Sequence, residues 1–195
     1  MDVGLDLIKA LRDKTQASLG DCRAVLEESG GDLEKAEGLL RVRGKKIAEK
    51  KADRAAHAGM IASYVHSNGR VGVLVEVRCE TDFVARAELF KQLAHDIALQ
   101  VAAMNPVYVS AGDIPGDIVA AQRAELEKEF AASGKPPEVT RKIVDGKLAK
   151  FFDEQSLLAQ AFVKDPSRKV GDVLTDAVGK IGENIRIEKF VRYEF

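Results

Sequence analysis

Few residues in this chain are of the kinds that metal binding and nucleophilic catalysis need. The three histidines, His57, His66 and His95, form no HExxH pair, and the two cysteines, Cys22 and Cys79, form no CxxC pair. No Gly-Lys pair is followed by Ser or Thr with the glycine spacing of a phosphate-binding P-loop, and no GxSxG serine occurs. We therefore expect a protein that is not an enzyme and that holds no metal and no cofactor.

The segment Thr81-Asp82-Phe83-Val84 stands out in a chain without catalytic motifs. Thr81 suits the N-cap of a helix, and Asp82 in the first turn would complement the helix dipole. Two interpretations of Phe83 are open. Because it precedes Phe90 by seven residues, it could share the buried face of that helix. Alternatively, it could project from the helix tip beside a carboxylate, as aromatic anchors of protein interfaces do.

The elements that would position this segment are a β-hairpin and a helix. Residues 60–66 and 71–77 flank Asn68-Gly69, a pair that favours a tight hairpin turn. Near-continuous apolarity over 71–77 predicts a strand covered on both faces. We expect Thr81 to open one long helix whose buried stripe consists of Phe90, Leu93, Ile97 and Val101.

The residues before the hairpin predict a small helical module and a connector. Residues 1–44 fit three short helices, with the second helix after Asp21, Asp32 as the N-cap of the third helix and Gly44 at its end. The apolar positions of the three helices are Leu5, Ile8, Leu11, Val25, Leu26, Leu33, Ala36, Leu39 and Leu40. Residues 45–58 are basic and lack interleaved aromatic side chains, so we interpret them as a solvated helical connector.

Residues 59–195 predict an α+β core. Further helices are expected at about 117–132 and 138–152, and another from Val170 to a stop at Gly182. The last segment alternates as a strand, with an interruption at Lys189 and Phe190. Its apolar parity is Ile185, Ile187, Val191, Tyr193 and Phe195. The fold class is thus α+β: an N-terminal three-helix module followed by a core with an antiparallel sheet and packed helices.

Composition narrows the classes of partner. The 30 basic and 31 acidic residues argue against direct nucleic-acid binding, whose affinity comes largely from clustered Lys and Arg. No apolar run approaches the ~20 residues that span a bilayer, and the first six residues carry no positive charge, so we expect neither a membrane span nor a signal peptide. A cytoplasmic protein is the expectation. A general adaptor would account for residues 1–44 but not for the aromatic segment or the core.

Several segments, in one order, resemble the elongation factor Ts family over nearly the whole chain. They are residues 24–28, 31–36 and 40–44; residues 71–77 with Cys79-Glu80-Thr81-Asp82-Phe83-Val84-Ala85-Arg86; Met104-Asn105-Pro106 with Tyr108-Val109-Ser110; Phe162-Val163-Lys164-Asp165-Pro166; and Ile181-Gly182-Glu183-Asn184-Ile185. The resemblance implies that residues 1–44 are similar to ubiquitin-associated domains.

The resemblance also implies a guanine nucleotide exchange factor for elongation factor Tu in translation elongation. In that family the N-terminal module and the core hold the nucleotide-binding domain of Tu, in both its GDP-bound and nucleotide-free forms. The Thr-Asp-Phe-Val segment disturbs the Mg²⁺ site of Tu, so that GDP leaves and GTP can bind. Carried onto this sequence, the partner-binding residues are Thr81, Asp82, Phe83 and Val84.

The sequence departs from the commoner family pattern in two places. Residues 15–22 lack both glycines of the family's Thr-Gly-x-Gly-Met-Met loop, with Gln16 and Ser18 in their places. The chain is also shorter than members with two core halves, and it resembles the compact members, which act as symmetric dimers. Some of these carry a cysteine near the final strand that bridges the dimer, but Val191 stands there, so a non-covalent homodimer is expected.

Overall fold

The computed structural model describes residues 3–131 and 136–195, and over these residues the protein is a mixed α+β fold, as predicted. The helices are α1 Leu5–Thr15, α2 Leu19–Glu28, α3 Leu33–Lys51, α4 Asp82–Ala85, α5 Glu88–Met104, α6 Gly116–Ala131, α7 Pro137–Gln155 and α8 Val170–Ile181. The strands are β1 Ala58–Val65, β2 Val71–Cys79, β3 Ala161–Phe162, β4 Asp165–Lys169 and β5 Arg186–Glu194. Residue 132, the predicted end of the helix before α7, lies outside the described residues.

The first three helices share a small apolar core. Asp32 caps α3 by accepting a hydrogen bond from the Lys35 N–H at 3.1 Å, as expected. The prediction that α2 starts after Asp21 is wrong, because Ser18 is its N-cap and accepts from the Asp21 N–H at 3.1 Å. Leu5 is 71% exposed and does not belong to the core. The buried residues are Val3, Ile8, Leu11, Cys22, Val25, Leu26 and Ala36.

Helix α3 does not end at Gly44, contrary to the sequence prediction. It continues to Lys51, so the expected connector is helical over its first half only. A glycine within a helix costs only about 1 kcal/mol relative to alanine, which good helix formers on either side can offset. Helix α8 approaches α3 closely at this point: a Cβ added to Gly179 of α8 would lie 2.9 Å from the Gly44 Cα, whereas a Cβ added to Gly44 itself would meet no atom within 4 Å. The division of the chain at residues 44 and 58 stays a prediction.

The predicted hairpin is confirmed. Strands β1 and β2 are joined through Asn68-Gly69, where Gly69 has a φ of 68° and the His66 N–H donates to the Val71 carbonyl at 2.9 Å. The sheet order is β1-β2-β5. The expectation that β2 is covered on both faces is wrong, because its burial alternates: Val73, Val75 and Val77 are buried, whereas Leu74 is exposed.

The final strand presents two faces of different burial. Ile185 and Ile187 are buried, whereas Val191 and Tyr193 are exposed, so the predicted apolar parity does not form one buried face. The switch from buried to exposed apolar residues comes after Glu188, next to the interruption that the sequence predicts at Lys189 and Phe190.

The chain divides into two compact units. The first contains the residues up to Met60 together with Val77–Leu93 and Asp172–Arg186; the second contains Ile61–Glu76, Ala94–Gly171 and Ile187–Phe195. In the second unit, α6 and α7 pack through Leu126, Val144 and Leu148. None of the helices in the described residues has the length and apolarity needed to cross a membrane.

Candidate partner-binding site

The Thr81–Val84 segment lies at the start of α4, a single helical turn between β2 and α5. Thr81 is its N-cap, as predicted, with Oγ1 accepting a hydrogen bond from the Val84 N–H at 3.3 Å. The segment does not open the long helix, however, because α4 ends at Ala85 and α5 begins at Glu88. The structure thus brings all four predicted site residues together on one short turn.

This interruption decides the environment of Phe83. On a continuous helix, residues seven apart share a face, so Phe83 would follow the fully buried Phe90 into the core. With the helix broken at Arg86 and Ala87, that relation no longer holds, and Phe83 is 85% exposed. The core interpretation of Phe83 is therefore wrong, and the aromatic ring is presented to solvent.

The other residues of the turn divide between anchoring and exposure. Val84 is buried and fixes the turn to the hydrophobic core, whereas Thr81 and Asp82 are exposed. Asp82 lies in the first turn of α4, where its negative charge suits the N–H groups of the helix N-terminus. The result is an aromatic ring beside a carboxylate on an anchored turn, which is the chemistry of a protein-interface anchor.

The backbone entering the turn is held by Glu183, which follows α8. Its Oε2 accepts hydrogen bonds from the Glu80 N–H at 3.1 Å and the Thr81 N–H at 3.0 Å. Its Oε1 accepts from the Thr81 hydroxyl at 2.7 Å. Bonds to an ionised acceptor are shorter and stronger than neutral ones, so one carboxylate holds both donors of Thr81 and the N–H of the residue before it.

Glu80 and Asn184 extend these contacts toward the end of α3. The Asn184 N–H donates to Glu80 Oε1 at 2.7 Å, and Arg54 pairs with the other oxygen of Glu80 at 3.6 Å. The buried Asn184 side chain donates to the carbonyls of Ala52 at 3.1 Å and Arg54 at 2.7 Å. We call Glu80, Glu183 and Asn184 the brace of the turn.

Sequence reasoning missed the brace as a group. Its three residues lay in two segments of the family resemblance, one with Glu80 and one with Glu183 and Asn184, and neither segment suggested this role. Glu183 is more than 100 residues from Thr81 in the chain, so only the fold brings the two together.

The cysteines Cys22 and Cys79 are buried thiols, and neither is in a disulfide. Burial raises the pKa of the Cys79 thiol, and the negative charge of Glu183 raises it further. The Cys79 thiol donates to the Thr81 carbonyl at 3.2 Å, which adds a contact beneath the turn. Within residues 3–131 and 136–195, no group of His, Cys, Asp and Glu side chains is arranged to hold a metal ion.

The loop that departs from the family pattern still closes the α1–α2 corner. Gln16 is in the left-handed conformation, with a φ of 58°, at the place where the family commonly has glycine. Its N–H donates to the Arg12 carbonyl at 2.7 Å, and Ser18 then caps α2. The corner therefore keeps a left-handed residue without a glycine.

Comparison with known proteins gives one consistent result. The family model described as Elongation factor TS matches residues 5–195. Elongation factor Ts of Rubrobacter xylanophilus is 50% identical over 194 residues, covering 100% of both chains. Elongation factor Ts of Thermotoga neapolitana is 50% identical over 197 residues, covering 100% of this chain and 98% of its own. That of Thermodesulfovibrio yellowstonii is 47% identical, covering 100% of this chain and 96% of its own.

The family match covers both units and includes the turn and its brace. The identity of about one half extends over the entire chain. The chain belongs to the elongation factor Ts family.

Proposed function

We propose that this protein is a guanine nucleotide exchange factor for elongation factor Tu and acts in translation elongation in the cytoplasm. Membership in the family implies the exchange role. The observation that carries the mechanism is the exposure of Phe83 on a turn anchored by Val84 and Thr81. Phe83 is the anchor that enters Tu, and Asp82 is the carboxylate that acts near its Mg²⁺ site.

Loss of Mg²⁺ coordination explains how contact at this turn would release GDP. In a GTPase the ion bridges the nucleotide phosphates and offsets their charge, so displacing it weakens nucleotide binding. Asp82 brings negative charge toward the ion site, and Phe83 fills the space that opens. These two residues would stabilise Tu in a form that holds nucleotide poorly.

Thermodynamic linkage sets the direction of the effect. A factor that weakens GDP binding must itself bind nucleotide-free Tu more tightly than Tu carrying GDP. It accelerates exchange in both directions without choosing between GDP and GTP. The cellular ratio of the two nucleotides then decides which one rebinds.

The N-terminal helices supply a second contact in this proposal. They form a ubiquitin-associated-like module that holds the nucleotide-binding domain of Tu. Three exposed apolar side chains, Leu5, Leu19 and Val42, support this role. Apolar side chains of this size on a small module are suited to a protein partner.

We also propose that the active form is a non-covalent homodimer. The exposed apolar side chains of the sheet strands within the second unit support it, and they are Ile61, Val65, Leu74, Val191 and Tyr193, with Phe195 just beyond β5. Burying them against a second copy would remove this apolar surface from water. Cys22 and Cys79 are both buried, in keeping with an interface that needs no disulfide.

The test is release of a fluorescent GDP analogue from elongation factor Tu, followed by stopped flow with excess unlabelled nucleotide. The wild-type protein should accelerate release in proportion to its concentration until saturation. Addition of an unrelated protein of similar size is the control. A release rate that does not depend on the wild-type protein would overturn the proposed function.

A further inference from the structure

We propose that Glu183 and Asn184 are positioning residues for nucleotide exchange: they fix the orientation of the Phe83 turn without touching the partner. This inference rests on the proposed function and names the residues on which the turn depends. Its basis is the convergence on the Glu183 carboxylate of three donors at the entry to the turn, namely the Glu80 N–H and the N–H and hydroxyl of Thr81. Asn184 links these residues to the end of α3.

The turn cannot hold its own orientation. Helix α4 has only four residues, and the nucleation cost of a first helical turn makes such a short helix unstable in isolation. Its direction must therefore come from contacts outside it. Val84 supplies an apolar contact, but apolar packing is not directional. Hydrogen bonds to Glu183 are directional, and they act on two successive N–H groups at the entry to the turn.

The hydroxyl of Thr81 carries this constraint into the turn. It donates to Glu183 Oε1 at 2.7 Å while accepting from the Val84 N–H at 3.3 Å. The N-cap of α4 is thus itself oriented by Glu183. Moving the carboxylate would change the direction of the residue that begins the turn, and with it the direction of Phe83.

Asn184 links the brace to the residues at the end of α3. Its backbone N–H donates to Glu80, and its side chain donates to the carbonyls of Ala52 and Arg54. The Lys51 ammonium donates to the Gly182 carbonyl in the same region. The end of α3, which begins in the N-terminal module, is therefore tied to the residues that hold the turn.

The brace acts on the turn and not on the partner directly. Both oxygens of Glu183 already accept bonds from the turn, and Asn184 is buried. Their loss should therefore leave the capture of Tu by other surfaces largely intact. The rate of GDP release within the complex should fall instead, because Phe83 is presented correctly for a smaller fraction of the time.

The experiment compares Glu183→Gln with wild type in the stopped-flow assay across factor concentrations. Glutamine keeps the shape, but its NH₂ cannot accept the hydrogen bonds that Oε2 or Oε1 now accepts. We expect a maximal release rate about tenfold lower, as for loss of one charge-assisted hydrogen bond, and a half-saturating concentration within about twofold of wild type. Asp153→Asn, which removes an exposed carboxylate paired with Lys169 at 2.9 Å, is the matched control and should change neither value.

A second pair of variants keeps the test independent of the glutamine substitution. Thr81→Val removes the hydroxyl at nearly constant shape, whereas Thr81→Ser retains it. The valine variant should lose maximal rate as Glu183→Gln does, and the serine variant, which keeps the hydroxyl, should lose clearly less of it than the valine variant. Amide hydrogen exchange by NMR should show faster exchange at Thr81 and Val84 in the valine and glutamine variants, with the thermal melt retained.

The outcomes separate the two proposals. An accelerating wild type with an unchanged maximal rate for Glu183→Gln overturns the positioning role and leaves the exchange function standing. A Glu183→Gln variant that alters only the half-saturating concentration also overturns it, because that pattern means a direct partner contact. If the wild type itself fails to accelerate release, both proposals fall.

Discussion

The Thr81 turn and the C-terminal strand both expose apolar side chains, and they do so in opposite ways. The Thr81 turn exposes a single aromatic ring, Phe83, on four helical residues that a carboxylate and a capping hydroxyl hold in place. The C-terminal strand exposes Val191 and Tyr193, with Phe195 following, on a nine-residue strand of a sheet. One region concentrates its apolar surface in one side chain, and the other distributes it along a strand.

The difference suggests different kinds of partner. A single anchored aromatic ring suits a hot spot that enters and leaves a pocket, as a factor that must dissociate requires. A distributed apolar surface suits a permanent contact of the type found in homodimers. The opposite side of β5 supports this view, since Arg192 donates to the Ala102 carbonyl at 3.3 Å, while Val191 and Tyr193 on either side of it are exposed.

The largest effect should come from removing the single anchor. Phe83→Ala should lower exchange efficiency about 30-fold or more, because truncating a hot-spot residue costs at least about 2 kcal/mol. Its thermal melt should stay close to that of wild type, since the ring is 85% exposed. Stopped-flow GDP release and circular dichroism on the same samples give both values.

The matched control for Phe83→Ala is Val139→Ala, an exposed apolar residue on α7. It should retain both exchange and stability. Normal exchange by Phe83→Ala would remove Phe83 from the proposed interface and end the contrast between the two regions.

Charged side chains on the exposed face of β5 should disrupt the proposed dimer. Replacing both Val191 and Tyr193 with Asp places two carboxylates on the proposed dimer face, where burial of unpaired charge is strongly unfavourable. Light scattering under reducing conditions should show a fall from dimer to monomer mass, and exchange activity should decline with it. The wild-type dimer should persist in reducing agent, because its two cysteines are buried and unpaired.

A control variant tests whether loss of the dimer requires charge on β5 or follows from charge at any exposed apolar position. Ile118→Asp, on α6 of the same unit, adds a charge at an exposed position outside the sheet and should leave the mass unchanged. A wild-type protein that is monomeric and fully active at working concentration would contradict the dimer but not the exchange function.

A smaller effect is expected at the carboxylate beside Phe83. Asp82→Asn should slow exchange a few-fold, and the deficit should grow as free Mg²⁺ rises, because the ion then rebinds more readily. The loss of a favourable charge at the N-terminus of α4 would slow exchange equally at all Mg²⁺ concentrations. A titration of release rate against Mg²⁺ distinguishes the two causes, and parallel curves for mutant and wild type would reject a role at the ion site.

The sequence predicted the turn residues better than their surroundings. Local signals identified the N-cap role of Thr81, the Asn68-Gly69 hairpin and the buried stripe from Phe90 to Val101, because each depends on residues close in sequence. The break between α4 and α5 was missed, since no glycine or proline marks it. Seven-residue spacing left the environment of Phe83 open, and only the break decides it.

Contacts distant in the chain explain the other misses. Gly44 looked like a helix end, yet its partner at the crossing is Gly179, which no local pattern connects to it. Glu183 and Asn184 were visible only as part of a motif, and their role follows from contacts with Glu80, Thr81 and the end of α3. The sequence predicted one apolar parity for the final strand, but only the fold separates the buried Ile185 and Ile187 from the exposed Val191 and Tyr193.

The smallest effect concerns the loop that departs from the family pattern, and it sharpens the comparison by changing stability without touching either exposed surface. Gln16 has a φ of 58°, and a non-glycine residue in the left-handed region costs about 1 kcal/mol. Gln16→Gly removes that strain, while it loses the exposed bond from Gln16 Nε2 to the Asp13 carbonyl and adds freedom to the unfolded chain. We expect a net gain of about 0.5 kcal/mol in the free energy of unfolding, measured by urea denaturation.

Ala17→Gly, at a neighbour without positive φ, is the control and should instead lower stability. Exchange by Gln16→Gly should equal that of wild type, because strain at this corner is independent of the Phe83 turn; equal destabilisation by both glycines would contradict the strain at Gln16.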